Sequence, residues 1–416
     1  MKALLFVYAL TYGGAVISLF RPFHGLCIYI AFAIVKPEQI WWWSVPPGNY
    51  SRIIAIGLLV GWLANGLGTW KFGRGSTTTA ALVGFWLWSV FSALNAYFPE
   101  PAWLYIDNLS KIVLPFVVGV TIIQSRDQLF ALAGTIAVSI GYIAYRENEL
   151  YLTWGIYEGD NQKAHIMAAA AGFLFFFGVC TTKWWQRILA FGSSALAAHA
   201  VMFHMSRGGM LGLSVAGLLT FVVVPKTPKW LIGFAIAIAV IARLAGPAVR
   251  DEFRTIFADE EVRDESATSR IEFWDAMWKA TKEHPVLGVG PRNWVPVSYR
   301  YGIPGREGHG MWQQLAAETG IPGASLIALF YISAIGLLLP CACGLAKTPH
   351  SASFRPFAQM CVVSMAAWAV EQCFGSFYLV ELPYYFGLVA AVTLRLMSSE
   401  SAAHQEVGHM ALVGRS

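Results

Sequence analysis

The stretch IPGASLIALFYISAIGLLLPCACGL, residues 321–345, carries no charged side chain and is long enough to cross a hydrocarbon core of about 30 Å as a helix. Working outward from it, apolar runs of similar character recur at 3–20, 25–35, 53–67, 80–96, 112–123, 129–145, 164–180, 188–204, 210–224, 230–244, 357–377 and 384–396. The chain of 416 residues is 56% hydrophobic and only 13% charged, about half the charge of a soluble domain. Such a surplus of apolar surface needs lipid to cover it. The expected fold is therefore all-α, a polytopic transmembrane helical bundle of twelve or thirteen spans with one large outer loop. The run at 25–35 is short and reads as a re-entrant or closely matched helix.

Composition shifts once, which gives four regions: N-terminal transmembrane helices over 1–245, a large periplasmic loop with amphipathic helices over 246–319, C-terminal transmembrane helices over 320–397, and a cytoplasmic tail over 398–416. The opening Met1-Lys2 before an apolar run has no small-residue cleavage site after it, so the first crossing is expected to stay. Lys and Arg are retained on the cytoplasmic side of short loops. Arg21, Lys71, Arg74, Arg126, Lys183, Arg187, Lys226, Lys229, Lys347 and Arg355 fall in alternate loops, which are assigned inside, and Arg395 returns there. Six cysteines lie in or beside apolar spans, where packing is the expected role. A net charge of +5 is too small for its sum to matter more than its distribution, and no nucleic-acid partner is implied.

Three cations break the sidedness rule. Arg146, Lys163 and Arg207 sit in or beside short outer loops, where snorkelling to lipid phosphate is the ordinary alternative to a functional role. Ser206-Arg207-Gly208-Gly209 opens a helix running inward, with Ser206 as N-cap. A guanidinium added to free N–H groups at a positive helix end suits a phosphate. Asp160-Asn161 caps the next outer helix start, with Lys163 in its first turn, where a cation opposes the dipole unless an anion is near. In the large loop, Ser269-Arg270-Ile271-Glu272 reads as a capping box, followed by an apolar stripe of Ile271, Trp274 and Trp278 that His284-Pro285 ends. That stripe is expected to lie on the bilayer or the bundle. The acidic run Asp259-Glu260-Glu261 and Asp264-Glu265 lacks the ordered spacing of a calcium loop, and the nine histidines form no ligand pattern, so no metal and no cofactor are expected.

Gly308-His309-Gly310 precedes a short amphipathic helix over 311–319 and the turn Gly320-Ile321-Pro322-Gly323, with Gly320 ending that helix and Pro322 starting the next span. By itself His309 reads as a hydrogen-bonded loop residue. His309 with Gly320-x-x-Gly323 resembles the histidine-glycine pattern of the bacterial O-antigen ligase superfamily. Ser206 to Gly212 is similar to that superfamily's inner-helix arginine segment, and Arg270 to Trp274 followed by His284-Pro285-Val286-Leu287-Gly288-Val289-Gly290 to its loop segment, all in the family's order. The opening Phe20-Arg21-Pro22-Phe23 through Lys36-Pro37 resembles the branch associated with exosortase systems. One departure is Gly310, where the family has Asn, Ser or Gln.

The resemblance implies a C-type glycosyltransferase that moves a glycan from undecaprenyl diphosphate to an acceptor hydroxyl, such as lipid A-core, at the periplasmic face of the bacterial inner membrane. It implies His309 as the base for the hydroxyl and Arg207, Arg270 and Arg146 as diphosphate ligands, with inversion at the sugar and membrane lipids around the spans. A polymerase and a protein O-glycan ligase of the same superfamily would share these residues. A flippase of lipid-linked sugars would need internal repeats or mid-membrane charges, for which only Glu371 leaves room.

Overall fold

The computed structural model describes residues 1–154, 160–244, 265–303, 305–346, 349–376 and 379–413, and every regular element among them is helical. We number them α1 Lys2–Phe20, α2 Pro22–Val35, α3 Pro37–Ile40, α4 Tyr50–Ala64, α5 Ser76–Leu94, α6 Pro99–Ile122, α7 Arg126–Trp154, α8 Asn161–Cys180, α9 Trp184–Phe203, α10 Arg207–Val223, α11 Pro228–Leu244, α12 Glu265–Glu283, α13 Trp294–Val297, α14 Met311–Ala342, α15 Pro349–Glu371 and α16 Leu382–Val413. Six helices among the described residues are long and apolar enough to cross a membrane, and the shorter apolar α4 and α10 run with them. The run at 25–35 forms α2, whose 14 residues span about 21 Å at the helical rise. The chain is a polytopic helical membrane protein. Lys347 and the acidic residues Asp259, Glu260, Glu261 and Asp264 lie outside the described residues.

Helix ends sort into two sets. At one end, arginines close the carbonyl termini of helices, where cations also complement the dipole. Arg187 donates to Thr181 O after α8 (2.7 Å), Arg355 to Ala342 O of α14 (3.2 Å) and Val223 O of α10 (3.1 Å), and Arg395 to Val120 O of α6. Neighbouring loops join the same end, since Arg74 N donates to Ser398 Oγ (3.1 Å) and Gln124 Nε2 to Thr69 Oγ1 (2.8 Å). The opposite end receives the amino termini of α8, α10 and α14. It also carries the segment 284–310.

A kink in α14 fixes that segment. Gly320 has φ 72° and ψ 176°, a conformation open essentially to glycine alone, and it divides the helix as the sequence predicts. Strand-like pairing with the preceding loop satisfies the broken turn: Ile321 N donates to Pro285 O (2.9 Å), Val289 N to Ala317 O (2.9 Å) and Gly290 N to Glu318 O (2.9 Å). The buried Glu318 carboxylate accepts from Arg292 N (2.8 Å) and Trp294 N (3.2 Å), so a single side chain holds the start of the next loop. Two of the motifs that the sequence singles out, 284–290 and 320–323, thus dock on each other. A Cβ on Gly320 would stand 2.0 Å from Val286 O, whereas one on Gly336 farther along the helix meets nothing within 4 Å. Gly320→Ala is therefore expected to destabilise the fold by more than the roughly 1–3 kcal/mol of the backbone conformation alone. Thermal unfolding in detergent, with Gly336→Ala as the near-neutral control, checks this; equal melting of the two variants would show the strap to be dispensable.

The loop helix α12 differs from its expected form. It begins at Glu265, ahead of the capping box at Ser269, in a stretch that contains neither Pro nor Gly to stop it. Its buried stripe is Phe273, Ala276, Met277 and Ala280, packed with Trp294, Ile303 and Ala317 into a second, smaller core, while Ile271 and Trp278 are half exposed. Both faces carry apolar residues at helical spacing. The one that matches the loop's own aromatic residues is buried.

Candidate functional site

Close packing of α10 on α8 builds the centre of the site. Ser206 caps α10, its Oγ accepting from Gly209 N (3.3 Å), and Met205 before it takes a left-handed turn at φ 48°. Asp160 caps α8 by accepting from Gln162 N (2.9 Å) and Lys163 N (3.1 Å). A Cβ on Gly208 would lie 2.5 Å from His165 Nε2, and one on Gly209 2.8 Å from Ala164 Cβ. Only glycines at these positions let Arg207 seat directly over the first turns of α8.

The result is a cavity of about 140 Å³ lined by Arg207, Arg270, His165, Asn161, Ser206 and Phe374, with Met205 and Gly208 completing its wall. Burial, and after it the nearby Arg207 charge, works against the Arg270 cation and moves its pKa below the ordinary arginine value. Two guanidiniums on the wall of one small polar cavity are an arrangement that can receive an anion.

His309 stands beside this centre, near enough for the Arg270 charge to act on it. Burial is the first cause that lowers the pKa of its ring, Arg270 the second, and Glu307 opposes both. Its backbone is held in the left-handed region at φ 46°, a strained setting for a residue with a side chain. The surroundings fix it: Trp274 Nε1 donates to His309 O (3.4 Å), Gly310 N to Ser376 Oγ (3.2 Å) and Met311 N to Gln372 O (2.8 Å). The glycine at 310 has a local cause, since a Cβ there would meet Gln313 Oε1 at 2.6 Å and Trp274 Nε1 at 2.7 Å.

Arg146 is placed apart from the other predicted residues. It pairs with Glu149 (2.7 Å) and lines a second cavity of about 470 Å³, whose walls include Ile140, Ile143 and Ile166. Lys163 lines the same cavity and has the anion its position calls for, Glu147 (3.4 Å), which also meets His204 Nε2 (3.3 Å). His165 is not singled out by the sequence, and Asn161 enters it only as part of the cap at Asp160-Asn161. The available signal is their place in the first two turns of a helix that opens on the same side as Arg207. Glu371 is fully buried with no hydrogen-bond partner on either oxygen among the described residues, packed where a Cβ on Gly212 would stand, at the terminus of α15 and not at its middle.

The family described as O-Antigen ligase matches residues 192–328, and a family of unknown function, DUF5935, matches residues 1–147. No curated protein matches the chain. The first match spans Arg207, Arg270, His309 and the docked segments around Gly320, and it supports membership of the O-antigen ligase superfamily, that is, an O-antigen ligase/polymerase-type membrane enzyme acting with lipid-linked glycans.

Proposed function

We propose that the chain transfers a glycan from undecaprenyl diphosphate to an acceptor hydroxyl, such as one on lipid A-core, at the periplasmic face of the bacterial inner membrane. The observation that carries this reading is the cavity lined by Arg207, Arg270 and His165 with His309 beside it. The bond from the anomeric carbon to the diphosphate oxygen breaks and its electron pair leaves with the diphosphate. Arg207 and Arg270 stabilise that growing charge, the largest need of the step. The acceptor oxygen attacks from the opposite side, which inverts the anomeric centre, and its proton passes to neutral His309. Arg146, across the first turn of α8, faces the larger apolar-walled cavity and would meet the lipid portion or an outer phosphate oxygen. A polymerase of the superfamily would run the same step on a second lipid-linked glycan, so the acceptor decides between the two names.

The arginine-closed carbonyl ends support periplasmic sidedness, since the positive-inside rule turns such ends toward the cytoplasm. Purified protein supplied with a lipid-linked glycan and, separately, lipid A-core, a second lipid-linked glycan or a protein acceptor should yield one elongated product, read by gel shift and mass. Two arginines supply the charge that a divalent ion would otherwise bring, so EDTA should leave turnover unchanged. Loss of turnover that magnesium or manganese restores would overturn the metal-independent step.

A further inference from the structure

Two cavities on the site side of the bundle lie end to end and touch none of the residues around the arginine cavity. The first, of about 340 Å³, is walled by Tyr29, Phe32, Lys36, Glu38, Lys111 and Asn108 together with apolar neighbours. The second, also about 340 Å³, is walled by Leu104, Arg292, Val295, Glu307, Glu318 and Asn108. Asn108 and Leu379 line both, which makes them one trough. Its near end is Glu307, two residues before His309 and close enough for its charge to act on that ring. At the far end Lys36 and Glu381, paired at 3.1 Å, also line the large cavity that holds Arg146.

The character of the trough is opposite to that of the arginine cavity. Lys36, Lys111 and Arg292 are set against Glu38, Glu307, Glu318 and Glu381, and Arg292 pairs with Glu307 at 3.1 Å. A nearly balanced wall of this kind gives a polyanion no net attraction. It gives an acyl chain even less, since the charged groups would lose their water for nothing in return. A ligand dense in hydroxyls is different, because each hydroxyl both donates and accepts, and hydrogen bonds to charged groups are the stronger ones. The floor of Phe32, Ile112, Leu104 and Tyr29 would meet the C–H faces of sugar rings.

We propose that this trough is a glycan track that seats the sugars of the acceptor and delivers the terminal hydroxyl to His309. The assignment to acceptor and not donor rests on the proposed function, in which the donor's first sugar lies at the arginines, away from the trough. Two cavities in line make the track long enough for more than one sugar, so the acceptor is an oligosaccharide and not a lone hydroxyl on a protein side chain.

The test measures binding without donor, so that it does not depend on transfer. The full-length protein in detergent micelles is titrated with a size-graded ladder of free oligosaccharides, cut from the acceptor glycan that serves in the transfer assay, and followed calorimetrically. Affinity should climb with length over the first few sugars and fall roughly tenfold in Asn108→Trp, which fills the junction of the two cavities. Asn108→Ala and Glu307→Gln should each lose a similar factor, the scale of one hydrogen bond to a charged or amide group; they carry the test if the tryptophan variant fails to fold. Affinity independent of length, or equal in wild type and all three variants, overturns the track. Wild-type protein that binds the ladder but transfers nothing leaves the track standing and removes the ligase reading. Normal transfer without ladder binding does the reverse.

Discussion

Arg207→Ala and Arg270→Ala are each expected to slow transfer by about 10²–10³, the usual cost of deleting one preorganised stabiliser of developing charge. Both side chains line one small cavity, so in the proposed step both reach the same diphosphate. Lysine at either position should restore only part of the rate, since a point charge cannot reproduce the two-pronged guanidinium contact. Initial rates normalised to folded protein, with donor binding measured in parallel, check the expectation. Single variants at near wild-type rates would mean that the diphosphate sits elsewhere, with the cavity around Arg146 as the first place to look.

His309→Ala should cost about 10²–10⁴ in rate while binding the lipid diphosphate nearly as well as the wild type does. The base must be neutral to accept a proton. Burial and then Arg270 hold its pKa below the ordinary histidine value of 6.5, so in the free enzyme the neutral form survives to lower pH than usual. Activity, read as kcat/KM, should therefore be full at neutral pH and decline only as pH falls through that lowered value. Glu307→Gln, which removes a charge acting upward on the ring, should move the decline to still lower pH. An acid limb above 6.5, or one that His309→Ala leaves in place, would count against histidine as the base. Loss of donor binding in His309→Ala would instead move the residue into the phosphate site.

Much of this architecture is written locally in the chain. Uncharged runs, the caps at Asp160 and Ser206 and the break at Gly320 are properties of a few adjacent residues, so the sequence alone shows them. The arginine cavity is partly legible: Arg207 stands out because it violates charge sidedness, and Arg270 because it opens a motif. His165 does not stand out, because its role arises only when Gly208 brings α10 onto α8. Arg146 shows the converse failure. Its sidedness resembles that of Arg207, yet its place on α7 directs it to another cavity, a matter of helix packing that charge patterns do not encode. The second apolar face of α12, which packs into the smaller core, is not legible for a related reason, since a helix with two apolar faces leaves the choice to its tertiary partners.

The strap between 285–290 and the kink at Gly320 bears on where the energy of reaction is spent. Arg270 sits on the helix that leads into this strap, and His309 on the segment that leads out of it. With both arms fastened to one piece of backbone, the proposed phosphate ligand and base would keep their separation before a substrate arrives. Little work is then left for the moment of bond breaking, because the polar groups were oriented during folding. A loosened strap would leave every reacting group intact and still slow the chemistry, since the enzyme would have to reassemble its own geometry at each turnover.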